Sequence, residues 1–365
     1  MIPVIEFVLG VAVLVYSAEK LIGYLVGVAS RWAISLFLIA VVFTGIEFDD
    51  LAFGVVLNME DLSDVALGTV IGTTIALTGI VLALAAIIAP TRVEVPRDYL
   101  ALYVAAPVVM FLLALGGLLT AGTGVVLILL FVAFVGWIAY REYSARRPVW
   151  RNAEVYEQLE KAGVAAGGST TATVAPNGPP RTDAAAGSPG FRLPEDLRVD
   201  DGFLKARAQP PGRTILFAVI ALIGLVVGAL IAGQGTEGIL ETWAISGTVF
   251  GVTIATLALS LEDILITVEP ARRGAPEIAV ANVLGSVVFS VTGKLGVILL
   301  VGGAIVVDPT ALVWHLPVLL GLTVLSAVFL GTGRIRRWHG VVLLGLYVAY
   351  FVLSLTVFGG VPVDD

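Results

Sequence analysis

Five carboxylates lie in the middle of apolar runs long enough to cross a bilayer. Glu47, Asp49 and Asp50 belong to Gly45-Ile46-Glu47-Phe48-Asp49-Asp50, and Glu262 and Asp263 to Ala258-Leu259-Ser260-Leu261-Glu262-Asp263. A carboxylate at the bilayer centre costs about 2.5–3.5 kcal/mol on the insertion scale, so groups kept there are functional candidates. Residues three, four and seven apart share a helical face. Thr253, Thr256, Ser260 and Asp263 therefore form one stripe of oxygens, and Glu47 and Asp50 share a face with Thr44 one turn earlier. Asn282, Ser286, Ser290 and Lys294 recur at steps of four, and Thr69 and Thr73 line a third face, with Thr74 and Thr78 beside it. A hard cation such as Ca²⁺ takes about six to eight oxygens from carboxylates, hydroxyls, carbonyls and water. Two facing helices bearing Asp50, Glu47, Asp263 and Ser260 meet that demand, and the surplus charge attracts Na⁺ or H⁺. Asp49 and Glu262 point about 100° round the helix from their neighbours. They face the same cavity, line an access path, or carry a proton in apolar surroundings.

Lys294 is the one basic residue of 21 expected deep inside a span. Helical side chains lean toward the N-terminus, which aims its ammonium back at Ser290 and the acids. Two placements are open. It neutralises Glu47 or Glu262, or it snorkels to the nearby outer interface.

These residues need apolar elements to hold them, and the composition supplies little else. The 365 residues are 58% hydrophobic and 13% charged, with a mean hydropathy of +1.00; soluble domains carry about 25% charge. With no cysteine, disulfides and thiolate sites are excluded. The two histidines, His315 and His339, read as interfacial, which argues against a His-rich transition-metal site. No nucleophile–base pair or phosphate loop stands out, so no enzymatic activity, cofactor or nucleic-acid partner is expected. The N-terminal apolar run lacks a basic flank and reads as a retained helix.

The apolar runs predict an all-α membrane protein of ten spans, roughly 4–24, 33–57, 65–89, 98–119, 122–140, 214–236, 244–268, 277–302, 310–330 and 340–359. Five spans per half make the second half enter the membrane inverted. Setting Asp50 on Asp263 gives a 213-residue offset that also sets Asp64–Thr73 on Glu277–Ser286 without a gap. The organisation is then 1–140 as the first five-helix repeat, 141–213 as a largely flexible linker with a short helix at 154–161, and 214–365 as the second repeat. The two acidic motifs, each with its partner helix, occupy about 38–84 and 251–297. Arg31, Arg92, Arg97, eleven basic residues of the linker, Arg272, Arg273, Arg334, Arg336 and Arg337 all fall on one side, with Lys20 near it. The positive-inside rule makes that side cytoplasmic and both termini external, in a prokaryotic plasma membrane.

These residues resemble the sodium/calcium exchanger family of the cation/calcium antiporter superfamily, of prokaryotic type. Its repeats carry Gly-Thr-Ser-x-Pro-Glu/Asp cores followed by Gly-Asn-x-x-Gly-Ser-Asn. Here Gly251-Val252-Thr253-Ile254-Ala255 leads into Ser260-Leu261-Glu262-Asp263, and Ala281-Asn282-Val283-Leu284-Gly285-Ser286 follows. The first repeat offers Gly45 to Asp50 and Gly68-Thr69-Val70-Ile71-Gly72-Thr73, and Ala18-Glu19-Lys20-Leu21-Ile22 resembles the family's first helix. The resemblance implies that Asp50 and Asp263 are the Ca²⁺-binding acids and that the carbonyls of Ile46 and Leu259 assist them. It sets Glu47 and Ser260 in place of the core serines, and Thr73 and Ser286 as partner-helix hydroxyls. It also implies alternating access, with the first and sixth helices sliding as a gate. The chain departs from the pattern where Asp49 and Glu262 replace proline, which makes helix breaking there less assured, and where Leu77 and Ser290 stand at Asn/Asp places. The expected activity is Ca²⁺ exchange for Na⁺ or H⁺; the alternatives are a gated cation channel, an antiporter for Mg²⁺, Mn²⁺ or K⁺, and a non-transporting sensor. Inorganic cations and the lipid bilayer are the expected partners.

Overall fold

In the hydrocarbon core of a bilayer every backbone polar group needs an internal partner, and helices supply it. The computed structural model describes residues 2–29, 46–90, 92–93, 95–145, 211–272 and 276–358. Among them are ten helices. In the first half these are α1 (Ile2–Ala29), α2 (Phe48–Met59), α3 (Ser63–Ile88), α4 (Arg97–Ala114) and α5 (Ala121–Ala145). In the second half α6 is Pro211–Trp243, and α7 runs Gly247–Phe250, a π turn Gly251–Ala255, then Thr256–Arg272. Next come α8 (Pro276–Phe289, a π turn Ser290–Lys294, Leu295–Val301), α9 (Ala311–Gly331) and α10 (Arg337–Val357). All but α2 are long and apolar enough to span a bilayer.

The 213-residue offset holds at the level of backbone defects. In α3, Ser63–Ala76, the π turn Leu77–Val81 and Leu82–Ile88 recur, each 213 residues later, as the three segments of α8. The halves are inverted as well as repeated. Asn58, near the end of α2, donates to the carbonyls of Ile298 at 3.2 Å and Gly303 at 3.2 Å, at the end of α8. Asp64 at the start of α3 lies against Gly247 at the start of α7. Thr248 in turn donates to Asp308, just past α8, at 3.4 Å. So α3 begins where α8 ends, and α2 ends where α7 begins. A two-residue antiparallel pairing, β1 (Leu118–Leu119) with β2 (Ile305–Val306), ties together the α4–α5 and α8–α9 connections.

Burial sorts the helices into layers. In the span windows of α8 and α3, 89% and 78% of residues are buried, against 28% in α1 and 33% in α6. α3 and α8 form the centre, with α2 and α7 packed on them. α1 and α6 pair along their length at the periphery, where a Cβ at Gly228 would meet backbone atoms of Leu14 at 2.6 Å.

The second expected span, 33–57, needs correction. Its first part, with Thr44 and Gly45, lies outside the described residues, and the described part is not a single helix. Ile46 and Glu47 are non-helical, Glu47 having φ −89° and ψ 93°, and α2 starts at Phe48. Glu47 and Asp50 thus do not share a helical face. The first turn of a helix exposes four N–H groups without partners and favours negative charge. Asp49 and Asp50 in that turn fit a helix start, and Leu51 N–H closes it on the Glu47 carbonyl at 3.0 Å. The other boundaries fall within a few residues of expectation, with four larger exceptions: α1 runs on to Ala29, α4 ends at Ala114, α5 runs on to Ala145, and α6 runs on to Trp243. The helix expected at 154–161, nearly all of the 141–213 linker, Arg31 and Arg273 lie outside the described residues.

Candidate cation site

The start of α2 presents its acids to α3 and α8. Asp49 and Asp50 are 8% and 5% exposed, and Glu47 is nearly as buried. Asp49 lies in the first turn of α2, where backbone N–H groups without helical partners favour negative charge. Glu47 and Asp50 reach Lys294.

Lys294 closes the π turn of α8 and is 1% exposed. Its ammonium donates to Asp50 Oδ2 at 2.6 Å, Thr73 Oγ1 at 3.0 Å and Glu47 Oε2 at 3.3 Å. An ammonium has three N–H donors, and each has an acceptor here. Of the two placements open from sequence, the structure has the inward one, and the partners are Asp50 and Glu47 rather than Glu262. The non-helical backbone at Glu47 brings that carboxylate beside Asp50, a geometry that helical spacing does not reveal. Ser290 Oγ donates to Glu47 Oε2 at 3.3 Å, and Ser286 faces the same carboxylate.

The second repeat contributes from α7. Asp263 lies within electrostatic reach of Glu47, Asp50, Asp49 and Glu262, so acids from both repeats share one region. Ser260, three residues before Asp263, is fully buried. Its Oγ and Glu47 Oε1 are buried without a hydrogen-bond partner, whereas buried polar atoms of native proteins are nearly always paired. Two oxygen acceptors at an acidic centre are what a cation would take. Among the described residues no three His, Asp or Glu side chains converge on one metal position; the Lys294 ammonium sits between the two first-repeat carboxylates.

The remaining hydroxyls divide cleanly. Those of Thr69, Thr74, Thr78, Thr253 and Thr256 donate to carbonyls of their own helix at 2.5–3.2 Å. Thr73 does so too, to Thr69 at 2.9 Å, while accepting from Lys294. Asn282 turns to Thr267 at 3.2 Å. The carbonyls expected to assist differ: Ile46 lies in the non-helical segment, whereas Leu259 lies inside α7, where helical bonding engages its carbonyl. At the proline-less core the described backbone is non-helical at Ile46 and Glu47 in the first repeat and helical at Leu259 and Ser260 in the second.

α7 comes close to α3 because both carry glycine at the contact. A Cβ at Gly72 would collide with Thr256 Oγ1 and stand 2.6 Å from Val252 Cα. One residue that shapes this end of the site escaped the sequence reading. Asn58, which joins α2 to α8, falls just past the expected end of the second span, so its polarity drew no attention.

The chain matches the family described as sodium/calcium exchanger protein over residues 2–140 and 213–356. It is 31% identical over 157 residues to the sodium/calcium exchanger MaX1 of Methanosarcina acetivorans, a match covering 43% of this chain and 42% of that protein's length. It is 24% identical over 353 residues to the inner membrane protein YrbG of Escherichia coli, covering 95% of this chain and 94% of that one. Its fold is similar to that of the sodium-calcium exchanger NCX_Mj, with a TM-score of 0.55 at 20% identity, over 96% of this chain and 98% of the other.

Proposed function

The chain belongs to the sodium/calcium exchanger family, and from that premise we propose that it is a secondary-active antiporter moving Ca²⁺ against Na⁺ or H⁺. The observation that carries this reading is the buried acidic centre shared by the inverted repeats. Glu47 and Asp50 come from the start of α2, Asp263 from α7, and the buried oxygens Glu47 Oε1 and Ser260 Oγ have no protein partner. Sites at repeat interfaces, built where a helix is broken, are the recurring solution of secondary transporters. The halves on either side rock or slide so that the same residues face each side in turn.

Within this reading Asp50 and Asp263 are the principal acids and Glu47 and Ser260 supply further oxygens. Ser286 and Ser290 orient Glu47, and Asp49 stabilises the start of α2. Glu262 adds negative potential near the path. The relatives' names mention sodium and calcium, and the excess of carboxylates favours a divalent cargo. We place both termini outside and 141–213 in the cytoplasm, because the basic residues gather there.

The test is ⁴⁵Ca²⁺ uptake into proteoliposomes under an imposed Na⁺ or H⁺ gradient, with Asp50→Asn and Asp263→Asn beside the wild type. Gradient-driven uptake that falls at least tenfold in each variant is expected. Uptake that persists in both removes the assignment of the site, and currents far beyond carrier turnover point instead to a channel.

A further inference from the structure

We propose that Lys294 permanently occupies one cation position of this site, so that the protein binds one monovalent cation fewer than its acids would otherwise take. The inference rests on the antiporter reading for its meaning in transport, but not for its test.

Three observations carry it. The ammonium is bound as a small monovalent cation would be, by two carboxylate oxygens and a hydroxyl at 2.6–3.3 Å. Its donors are all used and the residue is 1% exposed, so leaving would strand a charge on both sides. The lysine also breaks the internal symmetry at one point. The π turns of α3 and α8 correspond residue for residue, and where α8 has Lys294, α3 has Val81. The second repeat thus supplies a cation to the acids of the first and receives none in return. Asp263, the second carboxylate oxygen of Asp50, and the unpartnered Glu47 Oε1 and Ser260 Oγ are left for a mobile ion. Single π turns inside α-helices are frequent at functional sites. Here the turn ends on the residue that enters the acidic centre.

Lys294 is therefore a specificity determinant by charge: a tethered ammonium cannot be exchanged, and the site's negative charge available to mobile ions is reduced by one. A neutral residue there would open a position of matching charge and oxygen donors to Na⁺.

The experiment is Na⁺ counting by linkage on the purified full-length protein in detergent. Unfolding free energy is followed against Na⁺ concentration, where the slope reports the ions bound by the folded state. Lys294→Met is expected to bind one Na⁺ more than wild type, and Lys294→Arg, which keeps the charge, the wild-type number. Equal counts in wild type and Lys294→Met overturn the proposal. If Lys294→Met does not fold, Lys294→Gln keeps an amide donor for Asp50 without the charge, and the same gain of one ion is required of it. Exchange in proteoliposomes is read separately. Wild-type exchange with equal counts sinks only the lysine, whereas absent exchange with a gained ion sinks only the antiporter.

Discussion

Lys294 and Asp50 form a buried ion pair at 2.6 Å, with Glu47 on the other side of the ammonium. Desolvating two charges costs several kcal/mol per ion, so the pair adds little net stability. Removing one partner costs about 3–5 kcal/mol, because the survivor is left charged and buried. Asp50→Asn and Lys294→Met should each lower thermal stability in Na⁺-free detergent, and the double variant should recover much of the loss. Additive losses in that cycle would mean the two residues do not act as a pair. Sequence alone left two placements open for Lys294, toward the acids or out to the interface, because steps of four fix only its face on its own helix. It did not disclose which acids, since that depends on Glu47 leaving the helix. The Asn58 bridge to α8 was invisible for a similar reason: it joins residues 240 positions apart.

At the scale of elements, the repeat was the most legible feature. A gap-free offset of 213 read from acids, glycines and hydroxyls reappears in the bounds of three consecutive helical segments. The π turns were not legible, because one extra residue in a turn leaves an apolar sequence apolar. The same holds for the start of α2 at Phe48, which depends on where Asp49 and Asp50 sit relative to a helix start. Element contacts also give opposite signs to one substitution. Alanine in a helix is favoured over glycine by about 1 kcal/mol, and at Gly136 in α5 a Cβ would meet nothing within 4 Å. At Gly72 it would meet Thr256 and Val252, and overpacking costs about 1–3 kcal/mol. Gly136→Ala should raise the melting temperature slightly and leave transport near wild type. Gly72→Ala should lower the melting temperature and weaken Ca²⁺ uptake by pushing α7 from α3. A neutral Gly72→Ala would show that the α3–α7 contact does not set the site.

For the whole molecule, the inversion fixes which ends of the helices lie together, and the orientation proposed above rests on the basic residues alone. Asp61, Asn58, Gly303 and Asp308 cluster by connectivity at one end, and the turn at Glu60–Asp61 is acidic. The α3–α4 connection at the opposite end carries Arg92 and begins α4 with Arg97. Charge bias of this kind orients membrane proteins because basic loops resist translocation. The chain has no cysteine, so single cysteines report topology without background. Cysteine at Asp61 should react with a membrane-impermeant maleimide in intact cells. Cysteine at Arg92 or Arg334 should react only after permeabilisation. The reverse pattern would turn the molecule over while leaving its fold and site intact, because inverted repeats present the same centre to both sides. In the proposed antiporter, orientation would decide the direction of net Ca²⁺ movement only through the gradients outside the protein, and the acids and Lys294 would decide how many charges move with it.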